Sequence, residues 1–193
     1  MNGPIPQVAT DEIEALCRRL RLRYIREQSP DALLTAKAQR WDPAETLRVL
    51  LQAEAEGRNR STIEHRKTAR FPAGKTFDVW QAERSSVPVP TQNALQSLEW
   101  VDRHENLVIC GPSGTGKSHL CEALGQSAVD HGRNVRWFNI EDLGALVRSH
   151  RIDDTITKAL KPVLRADLII VDDIGLLPVS TDAAEGLYRL IDA

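Results

Sequence analysis

The sequence has 193 residues, of which 41% are hydrophobic, and its formal net charge at pH 7 is −2. This length and composition predict a soluble globular protein with one main domain and an appendage. No apolar run approaches the roughly 18 residues that span a bilayer, and no signal-like segment follows Met1, so we expect a cytoplasmic protein with no membrane association. Three cysteines, Cys17, Cys110 and Cys121, are too widely spaced for a disulfide framework or a zinc site.

The first third of the chain predicts a small helical domain. Residues 11–27 have apolar side chains at helical spacing, and arginines lie mostly off that stripe. Residues 29–31, Ser-Pro-Asp, predict the end of this helix and the start of a second one toward Arg40. Asp42 and Pro43 predict the N-cap and first turn of a third helix. Its expected buried stripe is Leu47, Leu50 and Leu51.

A basic stretch follows Gly57 and ends in a loop signal at residues 71–74. Such a stretch can follow a nucleic-acid backbone without reading its sequence, and it can equally be a solvated helix face. The candidate DNA-contacting residues are Arg58, Arg60, Arg66, Lys67 and Arg70. We assign residues 1–75 to a helical N-terminal domain, 76–105 to a linker with a junction helix, and 106–193 to a second domain.

From Asn106 onward, short apolar runs alternate with helical patterns, which predicts a parallel α/β sheet. The expected strands are residues 107–110, 135–140 and 168–171. The expected helices are residues 119–131, 141–149, 155–164 and 181–193.

Residues 111–118 have the sequence Gly-Pro-Ser-Gly-Thr-Gly-Lys-Ser, the P-loop pattern, between an apolar run and a helical pattern. Its glycines let backbone N–H groups face phosphate oxygens, and the following helix adds its positive N-terminal end. Lys117 reaches the β- and γ-phosphates and Ser118 supplies a hydroxyl ligand for Mg²⁺, so the motif predicts bound ATP with magnesium. The predicted nucleotide-binding residues are Gly111, Pro112, Ser113, Gly114, Thr115, Gly116, Lys117, Ser118 and His119.

Two acidic residues, Asp172 and Asp173, end the apolar run at 168–171. Carboxylates at this position lie at the carboxyl edge of a parallel sheet, where ligands of open α/β sheets bind. We expect Asp172 to hold magnesium through its water shell, and Asp173 to polarise the attacking water. Lys117 and Asp173 are therefore the predicted catalytic residues.

These runs, residues 106–120 and 167–178, resemble the IstB-type transposition helper ATPases, relatives of the DnaC-type helicase loaders in the AAA+ class. Residues 69–77 also resemble the family's linker, so the likeness covers most of the chain from about residue 40. The resemblance implies an ATPase that assembles on DNA, often as a multimer, and assists a transposase encoded beside it. A helicase loader, a small-molecule kinase and a binding module without turnover stay open as alternatives.

Such family domains continue into a strand with a polar sensor residue, an arginine finger and a helical lid. In the family's sheet that strand lies between the P-loop strand and the strand that ends in Asp172. Those parts are absent from these 193 residues. We therefore expect a C-terminally truncated chain with a gap in the middle of its sheet, in which nucleotide binding survives better than turnover.

Overall fold

The computed structural model of the protein describes residues 7–151, 155–175 and 178–193, with side chains described from residue 10 onward. Two 3-10 turns span Phe77–Val79 and Ala82–Arg84. The helices are α1 Gln7–Arg19, α2 Arg23–Gln39, α3 Pro43–Ala69, α4 Val89–Gln96, α5 Glu99–Asp102, α6 Lys117–Asp130, α7 Ile140–Arg151, α8 Ile156–Leu160 and α9 Thr181–Ile191. The strands are β1 Val135–Asn139 and β2 Leu168–Asp172.

The chain divides into two compact units, and the boundary along the sequence falls between Ile63 and Glu64, inside α3. The sequence-based division at residue 75 lies later, beyond the end of that helix. Residues 76–105, expected to form a linker and a junction helix, belong to the second unit together with the P-loop. The assignment of independent domains stays a prediction.

In the first unit, the predicted break at residues 29–31 is wrong, because α2 continues through Pro30. The chain breaks earlier, at Arg21, whose φ of 56° ends α1 in the left-handed region. Proline has no N–H for the carbonyl one turn earlier. The hydroxyl of Ser29 donates to that carbonyl, Arg26 O, at 3.4 Å and partly replaces the missing bond.

Helix α3 begins at Pro43 as predicted, and Asp42 Oδ1 accepts from the Ala44 N–H at 2.8 Å, which confirms the N-cap. The predicted leucine stripe is wrong: Leu47 is 58% exposed and Leu51 is 54% exposed. Helical spacing identifies an apolar face but does not say which face a neighbouring helix covers. The buried positions of α3 in this unit are Ala53, Glu54 and Gly57.

Glu54 of α3 is a buried acid that caps the N-terminus of α2. Its Oε2 accepts from the backbone N–H groups of Tyr24 and Ile25, at 2.9 and 3.0 Å, in the first turn of α2. Its Oε1 accepts from Arg58 Nε at 2.8 Å. Burial alone would raise the pKa of Glu54, but the hydrogen bonds from Arg58 and the two backbone groups bring its pKa below the ordinary value.

The second unit contains the predicted parallel sheet, which consists of two strands among the described residues. β1 pairs with β2 in parallel, from Val135 opposite Leu168 to Asn139 opposite Asp172. One apolar cluster joins α6 to the strands through Ala128, Val129 and Ile170. A second joins α7, α8 and α9. The α/β class and the parallel pairing are confirmed.

The predicted strand at residues 107–110 is not formed, although those residues are described. Val108 is 80% exposed and Leu107 is 39% exposed, and neither belongs to the sheet. A strand requires a hydrogen-bonded neighbour, whatever its own propensity. The second edge of β2 has no partner among the described residues, which agrees with the expected gap between the P-loop run and Asp172.

Candidate nucleotide-binding site

The predicted P-loop forms a turn that leads directly into α6. Gly114 and Gly116 have φ values of 78° and 87°, in the left-handed region where glycine is not strained. Gly116 is the N-cap of α6, and its carbonyl accepts from the Leu120 N–H at 2.9 Å. The first N–H groups of a helix have no partner within the helix, and they favour an anion. The loop therefore has the local geometry of a phosphate site.

Lys117 lies in the first turn of α6, and its ammonium folds back over the loop. Its Nζ donates to the Pro112 carbonyl at 2.8 Å, and the hydroxyl of Thr115 donates to the same carbonyl at 2.8 Å. Lys117 thus places one positive charge at this turn. Phosphate oxygens can exchange with that carbonyl as acceptors, and the bond becomes stronger because both partners are then charged.

Asp172 ends β2, which packs against α6. Burial and, to a smaller extent, the negative charge of Asp172 together raise the pKa of the Cys121 thiol to about 11. Cys121 lies one turn after Lys117 in α6. Asp172 is therefore close enough for its charge to influence a side chain near the beginning of that helix. Ser118 and Asp172 supply a hydroxyl and a carboxylate oxygen, the donor types that Mg²⁺ prefers, so these residues fit the ion.

Asp173 follows β2 with a φ of 61°, an unusual conformation for a residue that is not glycine. Asn139, at the end of β1, donates from Nδ2 to Asp173 Oδ2 at 3.4 Å. Asn139 was not among the site residues predicted from the sequence. The one available signal was its position as the last residue of a strand parallel to the strand that carries the acids.

A cleft opens beside the P-loop. One of its walls is the segment from Ser85 to Val87, and the other is the run from Ile109 to Gly111, with Trp80 and Lys117 also lining it. The sequence placed Trp80 at a domain junction. The structure places its ring against the P-loop, where a Cβ added to Gly116 would lie 3.2 Å from the indole.

Two side chains of α6 fix the segment before the cleft. His119 Nε2 donates to the Thr76 carbonyl at 3.1 Å, and its ring lies edge-on to Trp80 at 5.0 Å between centroids. Glu122 is buried, and its Oε1 accepts from the N–H groups of Ala73 and Lys75 at 3.2 and 3.1 Å.

Among the described residues, no group of three His, Cys, Asp or Glu side chains is arranged to hold a metal by itself. None of the described helices is long and apolar enough to cross a membrane.

The family model described as IstB-like ATP binding protein matches residues 15–193. The chain belongs to that family. A protein named as an ATP-binding protein of insertion sequence IS21 in Pseudomonas aeruginosa is 31% identical over 94% of this chain and 69% of its own length. An IS21-like ATP-binding protein of Bacteroides fragilis is 26% identical over 94% of this chain and 92% of its own length. One of insertion sequence IS232 in Bacillus thuringiensis is 30% identical over 77% of this chain and 60% of its own length.

The predicted DNA-contacting residues of this IstB-like chain lie on α3 or directly after it, and three of them are ion-paired. Arg58 pairs with Glu54, Arg66 with Asp130 at 2.5 Å, and Lys67 with Glu64 at 3.1 Å. Arg60 is exposed and lines a shallow pocket of the first unit. Arg70 is exposed at the end of α3.

Arg136 on β1 is a further cation that the sequence did not single out. Its Nη1 donates to the Thr68 carbonyl at 3.0 Å, while its buried Nε has no hydrogen-bond partner. Burial lowers the pKa of Arg136, and the neighbouring positive charge of Arg70 lowers it further. Two positive charges, those of Arg70 and Arg136, therefore lie near one another where α3 ends.

Proposed function

We propose that this protein binds ATP with Mg²⁺ at residues 111–118 and acts as a helper protein in DNA transposition. The observation that supports ATP most directly is the turn at Gly114 and Gly116, followed by Lys117 at the start of α6. Ser118 and Asp172 would hold the magnesium ion, which supplies charge neutralisation for the phosphates when bound.

The cleft beside the P-loop is suited to the nucleoside part of ATP. Val87 and Ile109 offer apolar surface to a base. Ser85 and Ser86 are polar residues on the same wall as Val87. This combination of apolar walls and a few polar groups is typical of small-molecule sites. In this binding mode the triphosphate lies in the turn and the base lies toward Trp80.

Asp173 is the residue we propose to orient the attacking water if hydrolysis occurs. Its carboxylate lies at the carboxyl edge of the sheet beside Asp172, and Asn139 donates to it. A carboxylate that is near the γ-phosphate without being a metal ligand can accept the water's proton. Lys117 would stabilise the charge that develops on the transferred phosphoryl group.

The role in transposition is supported by the IS21, IS5376 and IS232 names of the relatives. We propose that the protein acts in the cytoplasm, binds DNA without sequence preference, works with a transposase encoded alongside it, and forms a homo-oligomer in the full-length state. The same names favour this role over that of a helicase loader.

Release of phosphate from labelled ATP, with and without duplex DNA, tests the proposal. DNA-stimulated release would support a DNA-associated ATPase. Transfer of the label to a small acceptor would indicate a kinase instead. ATP binding without turnover, in this chain and in a chain extended to the length of its relatives, would indicate a binding module.

A further inference from the structure

Gln92 is a buried amide, and both N–H groups of its side chain donate to backbone carbonyls at one wall of the cleft. It is 1% exposed. Its Nε2 donates to the carbonyls of Val87, at 2.6 Å, and Ala82, at 3.0 Å, which lie at the two ends of the segment containing Ser85 and Ser86. One side chain of α4 therefore fixes the backbone of this wall at both ends.

The remaining oxygen of Gln92 connects the wall to the phosphate loop. Gln92 Oε1 accepts from Trp80 Nε1 at 2.7 Å. The far edge of the same indole packs against Gly116, and its ring contacts His119 in the first turn of α6. A continuous set of contacts thus leads from Val87 through Gln92 and Trp80 to the turn that surrounds the phosphates.

We propose that Gln92 and Trp80 are positioning residues that couple the nucleoside wall of the cleft to the phosphate loop. The proposal rests on the nucleotide site proposed above and assigns a role to two residues outside the P-loop motif. A wall held in place before the ligand arrives loses less conformational freedom on binding, so the base contributes more to affinity. The coupling makes the base-dependent part of ATP affinity depend on Gln92, which touches no phosphate in this arrangement.

A purely structural role for Gln92 would have a different signature. Replacing it leaves the Trp80 N–H and two carbonyls without their partner, which destabilises the unit as a whole. A general decrease in folded protein lowers the apparent affinity for every ligand by the same factor. A positioning role instead separates ligands that contain the base from those that do not.

The test compares ATP with inorganic tripolyphosphate, both with Mg²⁺, by calorimetry on the full chain. Gln92→Met keeps the size of the side chain and removes all three hydrogen bonds. It should weaken ATP binding about tenfold, the scale of one well-placed hydrogen bond, and tripolyphosphate binding less than about twofold. Asn93→Leu, at the neighbouring exposed position of α4, is the matched control and should change neither affinity.

Trp80→Phe provides a second variant, because it keeps an aromatic ring but removes the N–H and the outer edge of the indole. It should give the same separation between the two ligands, and thermal unfolding of each variant sets a temperature at which all are folded. An equal weakening of ATP and tripolyphosphate binding, or no weakening of either, would overturn the coupling. The coupling would also be overturned if the wild-type chain bound ATP no more tightly than tripolyphosphate. If the wild-type chain bound neither ligand, the proposed function itself would be refuted.

Discussion

The amide Nδ2 of Asn139 donates to Oδ2 of Asp173 at 3.4 Å across the carboxyl edge of the sheet. Asn139 lies opposite Asp172 in the register of the two strands, which places it at the strand end that carries both acids. Asp173 is also held at a φ of 61°, a conformation that costs free energy for a residue with a Cβ. Backbone strain of this kind is concentrated at functional sites.

The first prediction concerns these two residues in a chain extended to the length of its relatives. Asp173→Asn should keep ATP bound and slow hydrolysis at least about a hundredfold, because it removes a proton acceptor. Asn139→Ala should slow hydrolysis about tenfold, since the carboxylate is then without a partner that orients it. Steady-state phosphate release and ATP affinity are measured on each variant. Loss of ATP binding in Asp173→Asn would show that the roles of Asp172 and Asp173 are exchanged.

The second prediction is that Lys117→Ala abolishes ATP binding. The variant removes the ammonium that donates to the Pro112 carbonyl in the turn, and it leaves the β- and γ-phosphate charge without its strongest partner. Calorimetry with Mg²⁺ and ATP checks this. Lys161→Ala removes an exposed lysine of the same unit and should bind ATP like the wild type. Unchanged affinity in Lys117→Ala would contradict the proposed site.

The third prediction compares two glycines that share a left-handed backbone, Gly116 and Gly132, with φ values of 87° and 78°. A Cβ at Gly132 has no atom within 4 Å, so Gly132→Ala measures backbone strain alone, about 1 kcal/mol of unfolding free energy. A Cβ at Gly116 also meets Trp80 at 3.2 Å. Gly116→Ala should therefore be the less stable variant and should bind ATP more weakly. Equal stability and equal affinity in the two variants would show that the contact with Trp80 has no effect.

The fourth prediction concerns the first unit and pH. The pKa of Glu54 is below its ordinary value in the folded state, so its contribution to stability is present above the unfolded pKa and is lost as pH falls through the folded one. Glu54→Gln should lower the unfolding free energy by about 1–3 kcal/mol at neutral pH and flatten its dependence on pH below about 4.5. Denaturant unfolding of the wild type, Glu54→Gln and the exposed control Glu56→Gln measures this. A parallel acid dependence in all three would remove Glu54 as its cause.

The fifth prediction concerns DNA. Arg60, Lys67 and Arg70 can be changed to Ala together, which spares the Arg58–Glu54 pair within α3 and the Arg66–Asp130 pair between α3 and α6. If the three side chains bind phosphates, the slope of log affinity against log salt should flatten by about 0.9 for each phosphate that is no longer neutralised, equally for unrelated duplexes. Base readers would instead discriminate less between sequences.

Fluorescence anisotropy over a salt series, with ATP and two unrelated duplexes, measures that slope. The matched control changes three surface arginines that pair with nearby carboxylates, Arg18, Arg48 and Arg103. An unaltered slope in the variant that lacks Arg60, Lys67 and Arg70 would mean that the basic stretch is a solvated helix face.

The elements that carry strong signals in their own sequence were predictable. The apolar run at 168–171 became a strand, and the P-loop helix, α7 and α9 begin within two residues of their predicted starts. Their signals are local: apolar periodicity, a glycine turn and a polar residue before the helix, as at Ser180, whose Oγ accepts from the Ala183 N–H.

The features that depend on distant partners were not predictable. The run at 107–110 has strand composition, but nothing in its own letters shows whether a neighbour will pair with it. Gln92 is one glutamine among polar residues of a short helix. It is buried because Trp80 and the backbone of residues 82–87 pack around it and form hydrogen bonds with its amide. Asn139 gains its place at the site only through the register of β1 and β2.

Among the described residues β2 pairs with β1 alone, and this has a consequence for handling the protein. The five residues of β2 are paired with β1 on one side, and Leu168–Val171 carry neither the charges nor the prolines that discourage edge-to-edge association. An apolar strand edge of this kind can add a strand from another molecule. Solubility at high concentration should therefore depend on what covers β2, and a charged substitution along this edge is the first change to make when the chain aggregates.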